Sequence, residues 1–261
     1  MATTLLEPAP GLRGVTGEPW TGVRYFSTWR VGGVSPAPRD SLNLGTHVGD
    51  DPAAVRENRA RLRRALPDEP LWLEQVHGTA VFDANAASTP GFDVAIVPCA
   101  DAAVTAQRGR PLAIMTADCL PVVLADAAGT VLGVAHAGWR GLVAGVLENT
   151  LDALRRRAPQ ARGWRAWIGP GIGPQAFQVG PEVRAAFLDQ DAGSADFFVL
   201  QTEHDERWLA DLAGLARARL LRAGVARVES SGECTWTQAD RYFSHRRDPG
   251  SGRQATLAYL V

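Results

Sequence analysis

Short, continuously apolar runs recur along this chain, separated by turn-forming residues, and a few longer segments repeat their apolar positions at helical spacing. VRYFST (Val23–Thr28) predicts a first strand, and LWLEQVHG (71–78) a strand ending in a loop. PLAIMTA (111–117) and LPVVLADA (120–127) predict a strand pair. VLGVAHAG (131–138) predicts the next strand, after a turn at Ala128-Gly129. Such unbroken apolar runs fit strands buried on both faces. AWIGPGIG (166–173) predicts a strand entering a glycine-proline loop, and VARVESS (225–231) and ATLAYLV (255–261) predict closing strands.

Four segments read as helices. Asp51-Pro52 caps the first, with Val55, Leu62 and Leu66 on one face. Residues 141–157 carry Leu142, Val146, Leu147, Leu151 and Leu154 at helical spacing. A short helix opens at Pro181, and a long one over 208–224 ends at Gly224. Strands and helices intermix without repeat or linker, so the expected fold class is α+β (mixed α/β), a single domain over 23–261. Residues 1–22, rich in Pro, Gly and Thr, predict a loose N-terminal segment. Residues 30–51 form one long Gly/Pro/Asn/Asp-rich loop. It keeps Val34, Leu42, Leu44 and Val48, which predicts an ordered, functional loop.

Composition narrows the picture. The 261 residues are 46% hydrophobic and 21% charged, with a formal net charge of −1. A sizeable core is available, and no basic excess points to nucleic acid. The chain contains no lysine, which excludes Schiff-base chemistry and a Walker-type phosphate lysine. Three cysteines do not suggest a disulfide framework. MATTLLEPAPGLRG lacks a signal-peptide pattern, and Gly, Pro or charge interrupts every apolar run before membrane-spanning length. A reducing cytoplasm, without a membrane partner, is the expected setting.

His47, His77 and His136 each occupy a glycine-flanked loop beside a predicted strand end, and Cys119 lies between two predicted strands. Two imidazoles and a thiolate suit zinc, leaving a fourth position for water whose pKa the metal lowers. Their separations match no local zinc motif, so the residues alone leave open a buried, inert Cys119 and ordinary loop histidines. Asp118 is placed for general-base work or for holding a ligand, or is a turn residue; Asp101 reads more readily as a turn or cap acid. Arg30, Arg140, Arg246 and Arg247 lie nearest the polar loops and could meet an anionic substrate. Cys99 and Cys234 remain spare thiols, and GPGIGP (169–174) fits no dinucleotide or P-loop pattern.

LEQVHG, MTADCLPVVLAD, VAHAGWRGLVAGVLENT, IGPGIGPQAFQVG, SLNLGTHVGDDPAAVRENRARL and the closing CTWTQADRYFSHRRDPGSGRQATLAYL resemble the bacterial laccase-domain (YfiH-like) proteins. These motifs cover nearly the whole chain from about residue 28, in the expected order. The resemblance implies one mononuclear Zn2+ site held by His77, Cys119 and His136, and a layered α/β/β/α sandwich with mixed sheets. It implies a purine nucleoside phosphorylase acting on adenosine, inosine and methylthioadenosine, with adenosine deaminase activity. Asp118, Cys119 and His136 would be catalytic; Arg30, Asn43, His47 and Arg246 would contact nucleoside and phosphate. The expected partners are these small molecules, with the chain a monomer or weak homodimer. Copper chemistry fits poorly, because multicopper oxidation needs about ten His and Cys ligands, whereas this chain has five His and three Cys. Two alternatives stay open. One is a hydrolase editing L-serine-containing muropeptide precursors, through the metal or through Cys119 and His136 as nucleophile and base. The other is a non-catalytic protein stabilised by a closed zinc site, with His47 or Cys234 as fourth ligand.

Overall fold

The structure is a computed structural model that describes residues 3–85, 97–202 and 206–261. The chain runs through β1 (Thr4–Ala9), β2 (Leu12–Thr16), β3 (Val23–Thr28), α1 (Pro52–Arg63), β4 (Val81–Asp83), β5 (Ala102–Thr105), β6 (Leu112–Thr116), β7 (Leu120–Ala125) and β8 (Leu132–Ala137). There follow α2 (Trp139–Val143), α3 (Val146–Arg157), β9 (Arg165–Ile168), β10 (Gln178–Val179) and α4 (Pro181–Leu188). The remainder is β11 (Phe198–Thr202), β12 (Arg207–Ala210), α5 (Leu212–Arg222), β13 (Arg227–Ser230) and β14 (Gln254–Leu260).

Two large sheets stack face to face. One is antiparallel, in the order β1-β2-β3-β14-β6; the other is mixed, in the order β13-β9-β7-β8-β5-β4. Val23, Tyr25, Leu112 and Ile114 of the first pack against Val123, Leu132, Val134 and Trp167 of the second. On the far side of the mixed sheet, Val122, Leu124 and Ala135 pack against Val146, Leu147, Leu151 and Leu154 of α3 and against Leu215 and Leu220 of α5. On the far side of the antiparallel sheet, Phe26, Ala113 and Leu257 meet Leu62 of α1, with Leu42 and Leu44. The result is an α/β/β/α sandwich with one antiparallel and one mixed sheet. Alternate residues of β7 belong to two different cores, so its run is apolar at every position. Burying each large aliphatic side chain contributes about 1.5–3 kcal/mol. Among the described residues no helix is long and apolar enough to cross a membrane.

The structure corrects several local expectations. Residues 1–22 are not loose throughout: β1 and β2 form a hairpin that extends the sheet at β3. Pro10-Gly11 makes its turn, with Gly11 at φ 78°, so the Pro/Gly signal marks a turn and not a tail. The predicted pair at 111–127 is split between the two sheets, β6 pairing with β14 and β7 with β8 and β9. Residues 71–78 form no strand; isolated bridges join Leu71 to Leu112 and Glu74 to Cys99. The helix at 141–157 breaks at Gly145, whose φ of 97° lies in the region favouring glycine. The helix at 208–224 starts only at Leu212, where the Asp211 side chain caps it, because Trp208–Ala210 is needed in β12.

Candidate metal centre

The separation of β6 from β7 creates the site. Three residues, 117–119, carry the chain from one sheet to the other, and Asp118 and Cys119 lie in that crossover. Asp118 adopts φ 95°, an uncommon conformation for a non-glycine residue. Its surroundings hold it there: one carboxylate oxygen accepts from the Thr235 hydroxyl (2.7 Å), and the other from the Arg246 backbone N–H (2.7 Å). The antiparallel register of β7 and β8 pairs Pro121 with His136 and Leu120 with Ala137. Cys119 therefore sits beside the end of β8 that carries His136.

The third member arrives from the 71–78 segment. Asp101, fully buried just before β5, accepts from the backbone N–H groups of Val76 (3.2 Å), His77 (2.9 Å) and Gly78 (2.6 Å). Successive N–H groups converging on an anion are an anion nest, and they let His77 adopt φ 61°. Asp101 also meets Nδ1 of His136 at 2.8 Å, leaving that ring's Nε2 for the site. One carboxylate thus fixes both histidines, one through its backbone and one through its ring.

His77, Cys119 and His136 each offer a ligand atom, and these atoms lie within 4.8 Å of one another. Cys119 Sγ and His77 Nε2 are 3.7 Å apart. A thiolate and an imidazole at about 2.3 and 2.05 Å from a tetrahedral zinc would be about 3.6 Å apart. The donor set therefore suits zinc in chemistry, and the Cys119–His77 pair suits it in spacing. Gly138 is required here: a Cβ would lie 2.8 Å from the His77 ring and 3.0 Å from Cys119 Sγ. Burial opposes ionisation of Cys119, but His136 and then His77 overcome it and bring the thiol down to about 6. Burial disfavours the charged His136, yet Cys119 and Asp101 together raise it to about 9. Both shifts favour a thiolate–imidazolium pair in the metal-free centre.

A titration of the metal-free protein follows from that pair. Cys119 is expected to alkylate with iodoacetamide with a midpoint near pH 6, where an ordinary thiol needs a pH above about 8. Site-resolved mass spectrometry reads it, with Cys99 as internal reference and zinc as protectant. A Cys119 midpoint no lower than that of Cys99 would contradict the assigned pairing.

The other expected residues fall into distinct places. Arg30 donates to the Asp40 carboxylate (3.0 Å) and backbone carbonyl, and to Ala239 O. Asn43 is fully buried and clasps the 43–50 loop through Gly45 and Asp50, while its Oδ1 also accepts from Arg253 N. His47 is exposed on that loop. Partial desolvation of its ring, then the charges of Arg253 and Arg59, lower its pKa. Arg246 donates from Nη1 to Gln178 O and lies over the Phe177 ring. Arg247 donates to the carbonyls of Thr235, Trp236 and Tyr242, so it staples the C-terminal loop. Arg140 stacks on Trp139. Cys234 accepts from Gly173 N–H outside the triad, and Cys99 is exposed.

Asp101 is the residue that sequence reasoning passed over as a turn or cap acid. Its place before β5, opposite a histidine-bearing strand, shows only once the register pairs Ala102 with Ala135.

Comparison with known proteins gives a consistent result. The model of a family described as multi-copper polyphenol oxidoreductase laccase matches residues 24–261. An Escherichia coli protein named purine nucleoside phosphorylase YfiH is 46% identical over 92% of this chain and 95% of its own length. A Pseudomonas aeruginosa protein that also bears the purine nucleoside phosphorylase name is 48% identical over 91% and 93%. Among solved structures, Neisseria meningitidis protein NMB0706 matches with TM-score 0.85 at 40% identity, covering 96% of this chain and 99% of that one. Bacillus licheniformis YfiH matches with TM-score 0.87 at 28% identity, covering 98% and 99%.

Proposed function

The chain belongs to the multi-copper polyphenol oxidoreductase laccase family, and from that premise we propose that it is a zinc-dependent purine nucleoside phosphorylase with adenosine deaminase activity. What carries the reading is the convergence of His77, Cys119 and His136 in a chain whose near-full-length relatives bear the phosphorylase name. Zinc is the metal of this reading. The triad is the one candidate cluster among the described residues, and the chain's five His and three Cys fall short of the about ten ligands of a multicopper centre.

When bound, zinc would supply a Lewis acid at the triad, able to polarise a substrate oxygen or activate water. The chain's own residues do the rest. Asp101 fixes the ring of His136 and the backbone of His77, so the donors need not reorganise on binding. Asp118 accepts one hydrogen bond at each oxygen, which leaves lone pairs free to take a substrate proton as general base. His47 and Arg246 are the substrate contacts this reading retains from the sequence. Arg30 and Asn43 act indirectly, by shaping the loop that carries His47.

The test is incubation of the pure zinc-loaded protein with adenosine and phosphate. Adenine and ribose 1-phosphate are expected from phosphorolysis, and inosine from deamination. Absence of all three products removes the reading. One observation favours a second reading. Without metal, Asp101, His136 and Cys119 form an acid–base–thiol series of the kind that activates a cysteine nucleophile. That hydrolase would work best after chelation, so activity measured against zinc content separates the two.

A further inference from the structure

Arg59 and Arg253, far apart in sequence, both hold the backbone of Leu44 in the 43–47 loop. Arg59 Nε donates to Leu44 O at 3.0 Å, its guanidinium lies over the Trp72 ring, and Nη2 approaches Met115 Sδ at 3.9 Å. Leu44 N donates to Arg253 O at 3.0 Å, and a Cβ on Gly45 would strike the Arg253 side chain at 2.9 Å. The pairing of Gln254 with Thr116 places Arg253 where β6 leaves its sheet toward Asp118 and Cys119. Both guanidiniums therefore stand on the metal side of the sandwich, beside His47.

Neither has a carboxylate within ion-pairing distance among the described residues. Arg253 donates from Nη1 to Ser251 O and Gly252 O, which leaves Nε and Nη2 without a hydrogen-bond partner there. Arg59 likewise keeps Nη1 unused. Both are half-buried. Burial lowers the pKa of each, to about 10 for Arg59, against the opposing charges of Glu69 near Arg59 and of Cys119 and Asp118 near Arg253. The unused nitrogens are not fully buried, so they stay open to an anion arriving from solvent. Two planar forks beside a histidine suit the oxygens of a phosphate dianion.

We propose that Arg59 and Arg253, with His47 of the loop they hold, bind the inorganic phosphate that attacks the nucleoside. This rests on the phosphorylase reading. In that step a phosphate oxygen bonds to the anomeric carbon as the bond from that carbon to the purine nitrogen breaks. The bonding pair leaves with the purine, and the proton of hydrogen phosphate ends on the purine nitrogen. Ribose 1-phosphate and free base result, with atoms and charge conserved.

Calorimetric titration of the zinc-loaded protein with inorganic phosphate tests the site. The wild type is expected to bind one phosphate, and Arg253→Gln and Arg59→Gln each to bind it on the order of 10–100-fold more weakly. Arg253→Lys, which keeps the charge without the fork, should fall between. Zinc content and thermal unfolding of each variant exclude a collapsed loop as the cause. No saturable binding to the wild type, or undiminished binding by both Gln variants, overturns the proposal. Phosphate binding through these arginines without release of adenine from adenosine overturns the phosphorylase reading and leaves the anion site standing. Phosphorolysis with an unchanged KM for phosphate in both variants does the opposite.

Discussion

Replacing Cys119 by Ala is expected to weaken zinc binding on the order of 1,000-fold and to take nucleoside turnover with it. Structural zinc sites with four ligands bind with about 10–16 kcal/mol, or about 2.5–4 kcal/mol per ligand, and the one anionic ligand belongs at the upper end, about 10³ in affinity. The thiolate is the only anionic ligand of the set, and its loss leaves two imidazoles at a half-open position. The fold should survive. Cys119 lies in a crossover rather than a strand, and the buried runs of β7 and β8 are untouched. Chelator competition reads the affinity, and circular dichroism the fold. A variant whose zinc affinity in that competition equals the wild type's would remove Cys119 from the ligand set. Cys119→Ser is less informative, since a serine oxygen can partly stand in as a ligand.

The sheets were legible because burial on both faces writes itself as an unbroken apolar run, as in β7 and β8. Pairing was not legible. Nothing local distinguishes a hairpin from the three-residue crossover at 117–119, because the choice depends on β14 competing for β6. The short strands β4, β5 and β10–β12 were missed for a related reason: with few residues each, they are strands only by virtue of their neighbours. Hydrophobic period likewise cannot register the break at Gly145, since the apolar stripe continues through it. The ligand triad was named by resemblance, not by spacing. Its geometry then supplied what resemblance had left out, namely the shared carboxylate of Asp101.

Asp101→Asn is expected to cost on the order of 10–100-fold in zinc affinity, the range found when the partner of a ligating histidine is lost. The reasoning is a count of donors. Asp101 accepts from three backbone N–H groups and faces Nδ1 of His136, a demand that only a carboxylate meets. An amide turns one acceptor into a donor aimed at another donor, so one or two groups go unsatisfied, at about 1–3 kcal/mol each. The His77 backbone then loses the nest that holds its positive φ. The stability effect carries a pH signature. Burial works against the charged carboxylate, but His136 and the N–H groups of the 76–78 turn prevail and hold Asp101 below the usual carboxylate range. A depressed folded-state pKa contributes stability that is present above the unfolded value of about 3.9 and is lost as pH falls through the folded one. The gap between wild type and Asp101→Asn should therefore be full at pH 7 and narrow progressively below about pH 4. Urea unfolding of the two metal-free proteins across that range measures it. A gap that stayed constant into acid would assign the loss to shape alone, and Asp101 would no longer be the charge on which both histidines are set.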